Sequence, residues 1–194
     1  MTGRAAIFLD RDGVLSELAP DPESGLPESP LRPEDVRLLP GAAAAAAALR
    51  GAGYALVGVT NQPAAAKSRV SVGQLEDVQR RVVELLAREG ADLDAWRMCL
   101  HHPEGVVPEL SGPCDCRKPK PGMLLDAGRA LGLDMSRSWM VGDTDADVEA
   151  GRAAGCRTVL IVHPDSAHKR APVSAPDARA TDLRDASVLI VGDA

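Results

Sequence analysis

Residues 5–14 read Ala-Ala-Ile-Phe-Leu-Asp-Arg-Asp-Gly-Val, and this stretch decides how the rest of the chain is read. Five apolar residues in a row, too few for a helix, predict a buried strand over 5–9. The run stops at two carboxylates, Asp10 and Asp12. Their spacing of two lets both project toward one side of an extended chain. Gly13 permits the turn that carries the backbone away. In open α/β sheets ligands bind beyond the carboxyl ends of the strands, so a strand ending in paired acids predicts both a sheet of that kind and the place of its site.

Further apolar runs support this. Strands are predicted at 55–59 (ALVGV), 95–100, 138–141 and 158–162. Between them lie helical stretches: 42–50, with seven consecutive alanines and Gly51 or Gly53 as its stop; 72–88, with Leu75, Val78, Val82, Leu85 and Leu86 at helical spacing; 121–131, with Pro121 in its first turn and Gly132 after it; and 146–154, stopped by Gly155. The tail reads as a helix after Asp182 as N-cap, although Ser187–Val191 alone resembles a strand. The alternation predicts one α/β domain over residues 1–194, doubly wound and Rossmann-like, with a mostly parallel sheet and helices on both faces. Two stretches fall outside it. Residues 16–33 hold Pro20, Pro22, Pro27, Pro30 and Pro33, and 164–177 reads as a surface loop.

The composition narrows the function classes. With a formal net charge of −6 and no basic run, the chain lacks the footprint of a nucleic-acid binder. No apolar stretch approaches the ~20 residues of a membrane span, and the N-terminal run is too short for a signal peptide. We therefore expect a cytoplasmic protein, without membrane or nucleic-acid partners and monomeric, acting on a small molecule. One Phe, one Tyr and two Trp leave the core aliphatic.

Three predicted strands end in polar residues: Asp10-Arg11-Asp12-Gly13, Thr60-Asn61-Gln62 and Gly142-Asp143-Thr144-Asp145. One carboxylate can attack phosphorus while its neighbour moves protons, and close carboxylates call for a hard cation such as Mg²⁺, with Asp143 as a further ligand. Asp147 and Glu149 read most simply as solvated residues of the next helix. A second constellation, Cys99-Leu100-His101-His102 followed by Cys114-Asp115-Cys116, offers three thiolates and an imidazole, the donor set of a closed structural Zn²⁺ site. Arg117 and Lys118 follow it directly. Cys156 reads as a buried small hydrophobe, and His163 and His168 as surface residues.

These motifs resemble the haloacid dehalogenase superfamily of phosphohydrolases over residues 5 to about 162. Together with the C-x-H-H-P and C-D-C-R-K-P elements they resemble its zinc-loop branch of heptose bisphosphate and histidinol-phosphate phosphatases. The resemblance implies Asp10 as nucleophile and Asp12 as general acid and base. It implies catalytic Mg²⁺ on Asp10, Asp143 and the backbone carbonyl of Asp12, and structural Zn²⁺ on Cys99, His101, Cys114 and Cys116, with His102 left as a neighbour. Thr60, Asn61, Gln62, Arg117, Lys118 and Thr144 would bind the phosphorylated substrate, residues 16–33 would face it, and no large cap would cover it. The twelve residues between His101 and Cys114 match the loop length of the heptose enzymes, which favours a sugar bisphosphate over histidinol phosphate. Ser16, and the Pro63-Ala64-Ala65-Ala66 that follows Gln62, depart from the family pattern in loops near the substrate. Lys67 and Arg69 are candidates to hold a second phosphate.

Overall fold

A computed structural model describes residues 3–171 and 175–193. The elements in chain order are β1 (Ala6–Leu9), β2 (Ala19–Pro20), β3 (Pro27–Glu28), α1 (Ala42–Gly51), β4 (Ala55–Asn61), α2 (Val72–Arg88), β5 (Ala95–Cys99), α3 (Gly122–Leu131), β6 (Trp139–Gly142), α4 (Asp145–Ala153), β7 (Arg157–Ile161), β8 (Ala178–Ala180) and α5 (Leu183–Gly192). Six strands form one sheet in the order β5-β4-β1-β6-β7-β8, every neighbouring pair parallel. From β1 the chain winds outward through β4 and β5, then returns to β6 and winds the other way. The reversal between β1 and β6 is the point at which such sheets bind ligands, and β1 and β6 carry Asp10 and Asp143 at their ends.

Both faces are covered, as parallel sheets require. Ile7 and Leu9 point to the side packed by α1, α2 and α5, with Leu49, Val78, Val82, Leu86 and Ile190. Ala6 and Phe8 point to the other side, against Met123, Leu124, Ala127 and Ala150 of α3 and α4. The alanine run makes α1 a slim helix. Ala42, Ala43, Ala45 and Ala46 are buried, letting the helix backbone lie close to the sheet. Gly58 serves the same end within the sheet, since a Cβ there would overlap the ring of Trp96 on β5.

The predicted elements all form, with ends shifted by a residue or two, and Asp182 caps the C-terminal helix by accepting from the Asp185 amide at 2.8 Å. Two short pieces had no sequence signal. The Pro-rich 16–33 contains the two-residue antiparallel ribbon β2–β3, and β8 extends the sheet with three residues beyond the loop. Elements this short have no period for a pattern to reveal. Part of the predicted surface loop, residues 172–174, lies outside the described residues. His163 and His168 are partly exposed, in line with a surface placement. No helix is long and apolar enough to cross a membrane.

Ala46 is fully buried where α1 meets the sheet. Ala46→Leu should therefore cost about 1–3 kcal/mol of stability by overpacking, measured by urea denaturation. Exposed Ala44→Leu should fall within about 0.5 kcal/mol of wild type.

Candidate active site

The carboxyl ends of β1, β4 and β6 open into a cleft of about 360 Å³ lined by Asp10, Asp12, Thr60, Asn61, Arg117, Lys118, Asp143, Thr144 and Asp147, joined by Glu28, Lys67 and Lys169. At its floor lies a buried ion cluster. The Lys118 Nζ sits 2.8 Å from Asp10 Oδ1 and 2.6 Å from Asp147 Oδ1, and donates to the Val59 carbonyl at 2.8 Å. Carboxylate oxygens of Asp10, Asp143 and Asp147 all lie within 4.8 Å of one another. Burial pushes Asp10 up to about 7, with Lys118 pulling against it and Asp147 adding to it. Asp143 is raised well above the usual carboxylate range, first by burial and then by Asp10 and Asp147. Burial alone would lower Lys118, but Asp10 and Asp147 outweigh it and hold the ammonium charged. Three close carboxylates against one ammonium leave the cluster short of positive charge, the condition a divalent cation relieves.

Asp147 corrects the sequence reading. It is 1% exposed and is no solvated helix residue. It closes a capping box: its Oδ2 accepts from the Thr144 amide at 3.0 Å and the Thr144 hydroxyl at 2.6 Å. The signal was present in Thr144-x-x-Asp147, the capping-box spacing, but the helix period by itself does not show that Lys118 reaches the same carboxylate. Two glycines make room. Gly142 has space for no Cβ because Asp147 fills it, and Gly13, at φ +82°, leaves the space occupied by the Asp143 carboxylate.

Asp12 sits in a different environment. Arg11, fully buried, donates to its two oxygens through Nε and Nη2, both at 2.9 Å. Gln62 Nε2 adds a bond at 2.7 Å and the Ser16 hydroxyl one at 3.0 Å. Burial would raise Asp12, but Arg11 above all, with Ser29 and Gln62, wins and holds it below its ordinary value. Gln62, expected among the phosphate binders, instead bridges Asp12 and the Thr60 hydroxyl, the latter at 2.9 Å. Asn61 likewise turns to the protein: its side chain donates to the Lys118 carbonyl at 3.0 Å and accepts from the Lys118 amide at 3.1 Å, fixing the lysine from β4. Arg69 is taken by an ion pair with Asp21 and lies 3.6 Å from Glu23, whereas Lys67 lines the cleft. Arg11 was legible only as the middle of D-R-D. Glu28 and Lys169, from the two stretches outside the α/β alternation, carried no motif.

Beside the cleft, Cys99, His101, Cys114 and Cys116 bring their donor atoms within 4.8 Å of one another. Cys99 Sγ lies 3.0 Å from Cys116 Sγ and 3.8 Å from Cys114 Sγ, and His101 Nδ1 lies 3.5 Å from Cys116 Sγ. All four cysteines of the chain are free thiols. Burial pushes the Cys99 thiol up, and Cys116 adds to it. A tetrahedral zinc with bonds of ~2.3 Å sets its sulfurs ~3.8 Å apart, the separation of Cys99 and Cys114, and three sulfurs with one imidazole nitrogen are the donors such an ion takes. The cluster also orients the neighbouring cation: Arg117 Nη1 donates to the His101 carbonyl at 3.2 Å. His102 stays outside it, accepting from the Glu104 amide. Cys156 is buried among apolar residues of the α3–α4 side, and burial lifts its thiol to about 12.

Comparison with known proteins agrees with this geometry. A HAD-hydrolase-like family model matches residues 115–186. The D-glycero-beta-D-manno-heptose-1,7-bisphosphate 7-phosphatase of Rhodopseudomonas palustris is 40% identical over 152 residues, covering 78% of this chain and 80% of that protein. The enzyme of the same name from Yersinia pestis is 37% identical over 177 residues, covering 91% and 87%. The crystal structure of D,D-heptose 1,7-bisphosphate phosphatase from B. bronchiseptica, complexed with magnesium and phosphate, superposes with a TM-score of 0.78 at 28% identity, over 98% of this chain and 99% of that one. With two relatives matched over most of their length, and a fold and cleft of the same kind, the chain belongs to the D-glycero-β-D-manno-heptose-1,7-bisphosphate 7-phosphatase family of HAD-like hydrolases.

Proposed function

We propose that the chain is a Mg²⁺-dependent phosphatase that removes the 7-phosphate of D-glycero-β-D-manno-heptose 1,7-bisphosphate through a phosphate carried on Asp10. The observation that bears this reading is the Asp10 carboxylate at the switch point, 2.8 Å from the buried Lys118 ammonium and open to a cleft lined by cations. An Asp10 oxygen attacks phosphorus as the bond to the sugar oxygen breaks, and Asp12 gives that oxygen its proton. Asp12 then takes a proton from water, which attacks phosphorus and frees Asp10 and inorganic phosphate. In the free protein Arg11 and Gln62 favour the ionised, proton-accepting form of Asp12. An incoming dianionic phosphate opposes that bias by like-charge repulsion and favours the proton-donating form.

Lys118, Arg117 and the Thr60 hydroxyl stabilise charge on the transferring phosphoryl oxygens. Asp10, Asp143 and the backbone carbonyl of Asp12 would hold Mg²⁺, which supplies further positive charge there and lets the close carboxylates ionise together. Thr144 serves the site through Asp147, and Asn61 through Lys118. Zn²⁺ on Cys99, His101, Cys114 and Cys116 has a structural role, fixing the segment that presents Arg117 and Lys118. The charged cleft, with no large cap over it among the described residues, suits a small phosphorylated sugar.

Phosphate release from a panel of heptose bisphosphate, histidinol phosphate and common sugar phosphates tests the substrate; highest kcat/KM on the heptose bisphosphate is expected, and preference for histidinol phosphate refutes the assignment. Asp10→Asn should lower kcat by more than about a thousandfold while leaving the fold intact. Protein purified without chelators should carry about one zinc per chain. Cys114→Ser should lose the metal and melt at lower temperature, because binding energy of a structural ion is folding energy. Zinc-free protein that folds and turns over normally contradicts the structural role.

A further inference from the structure

The segment after β7 reaches the cleft without any motif residue. It is fastened to the acidic loop that follows β6: Arg170 Nη1 donates to the Asp143 carbonyl at 3.4 Å and to the buried Ser166 Oγ at 3.2 Å, the Ser166 hydroxyl donates to the His163 carbonyl at 3.2 Å, and the Ala171 amide donates to Asp145 at 2.5 Å. Lys169 is therefore set against the catalytic loop by its own neighbours. Its Nζ lies 2.7 Å from Glu28 Oε2 on β3, and both residues line the cleft.

The other cations there have fixed duties. Lys118 is buried between Asp10 and Asp147, and Arg117 leans on the His101 carbonyl. Lys67 is exposed on the rim. Lys169 alone combines a half-buried position with a partner that can be exchanged, because the side chains of Lys169 and Glu28 are 24% and 40% exposed. Ion pairs this open to water hold weakly, and a phosphate dianion competes well against a single carboxylate for an ammonium.

We propose that Lys169 is a specificity-determining residue that takes the second anionic group of a bisphosphorylated substrate, with Glu28 as its counter-ion until that group arrives. This rests on the sugar-phosphatase reading above. The exchange explains why a carboxylate stands in a cleft for anions: Glu28 keeps Lys169 in place, and monophosphates, having no second phosphate to displace it, gain nothing from the lysine.

Binding is measured by calorimetry on Asp10→Asn protein, which keeps the ligand intact. The readout is the ratio of affinities for heptose 1,7-bisphosphate and heptose 7-phosphate. Lys169→Ala on this background should lower the ratio about fivefold, the loss of one partly exposed charge contact, while Lys169→Arg retains it. Glu28→Gln should hold or raise the ratio, since it removes the competitor. A ratio unmoved by Lys169→Ala, or lowered by Glu28→Gln as far as by Lys169→Ala, shows a merely structural strap and overturns the proposal. Failure of the unsubstituted protein to hydrolyse the bisphosphate refutes the functional reading separately, with the binding ratio still measurable. No binding of the bisphosphate at all overturns both.

Discussion

The rest of the site depends on one buried ammonium. Lys118 is 3% exposed and neutralises Asp10 and Asp147 at the point where the sheet reverses its winding. Buried charges persist only when paired and hydrogen-bonded, and removing one partner of such a group typically costs about 3–5 kcal/mol. Without Lys118, three acids within 4.8 Å of one another would face each other with little water. Asp10, already lifted by burial and held down by Lys118, would rise further and cease to be a nucleophile. With it, the site keeps a carboxylate whose burial has lifted it to about 7 beside a fixed positive charge, an arrangement that suits attack on a phosphoryl group and the binding of a hard cation.

Much of the neighbouring structure holds that lysine. Asn61 pairs with both the amide and the carbonyl of Lys118 from the end of β4. The Cys99–Cys116 segment ends immediately before Arg117 and Lys118, so whatever closes the cysteine cluster also limits where the two cations stand. Thr144 and Asp147 tie the start of α4 to the same charge. The second carboxylate of the D-x-D pair belongs to a separate network of Arg11, Gln62 and Ser16. Two acids two residues apart thus have opposite tendencies, one raised by burial and one depressed by a guanidinium. Such divergence separates a nucleophile from a proton carrier.

The fold and the centre of the site were legible because they rest on local patterns. Short apolar runs ended in Asp10, Thr60 and Asp143, helices had the right period and stops, and Cys-x-His with Cys-x-Cys named its own donor set. What could not be read depends on contacts between distant segments. Asp147 looked solvated because its helix period places it at the first turn, whereas it fills the space beside Gly142 and pairs with Lys118, 29 positions earlier. The family resemblance assigns Gln62 and Asn61 to the substrate; in the folded chain their side chains bond to Asp12 and Lys118. Lys169 and Glu28 meet across 141 positions of sequence from two irregular loops, and no spacing rule connects them.

The central claim is that phosphate is carried on Asp10. Quenching the enzyme during turnover of the heptose bisphosphate and reducing it with borohydride converts an acyl phosphate to the corresponding alcohol, which peptide mass spectrometry locates. The account predicts homoserine at position 10, only in samples that contained substrate. Reduction at Asp12 or Asp143, with Asp10 intact in an enzyme that turns over, would contradict it.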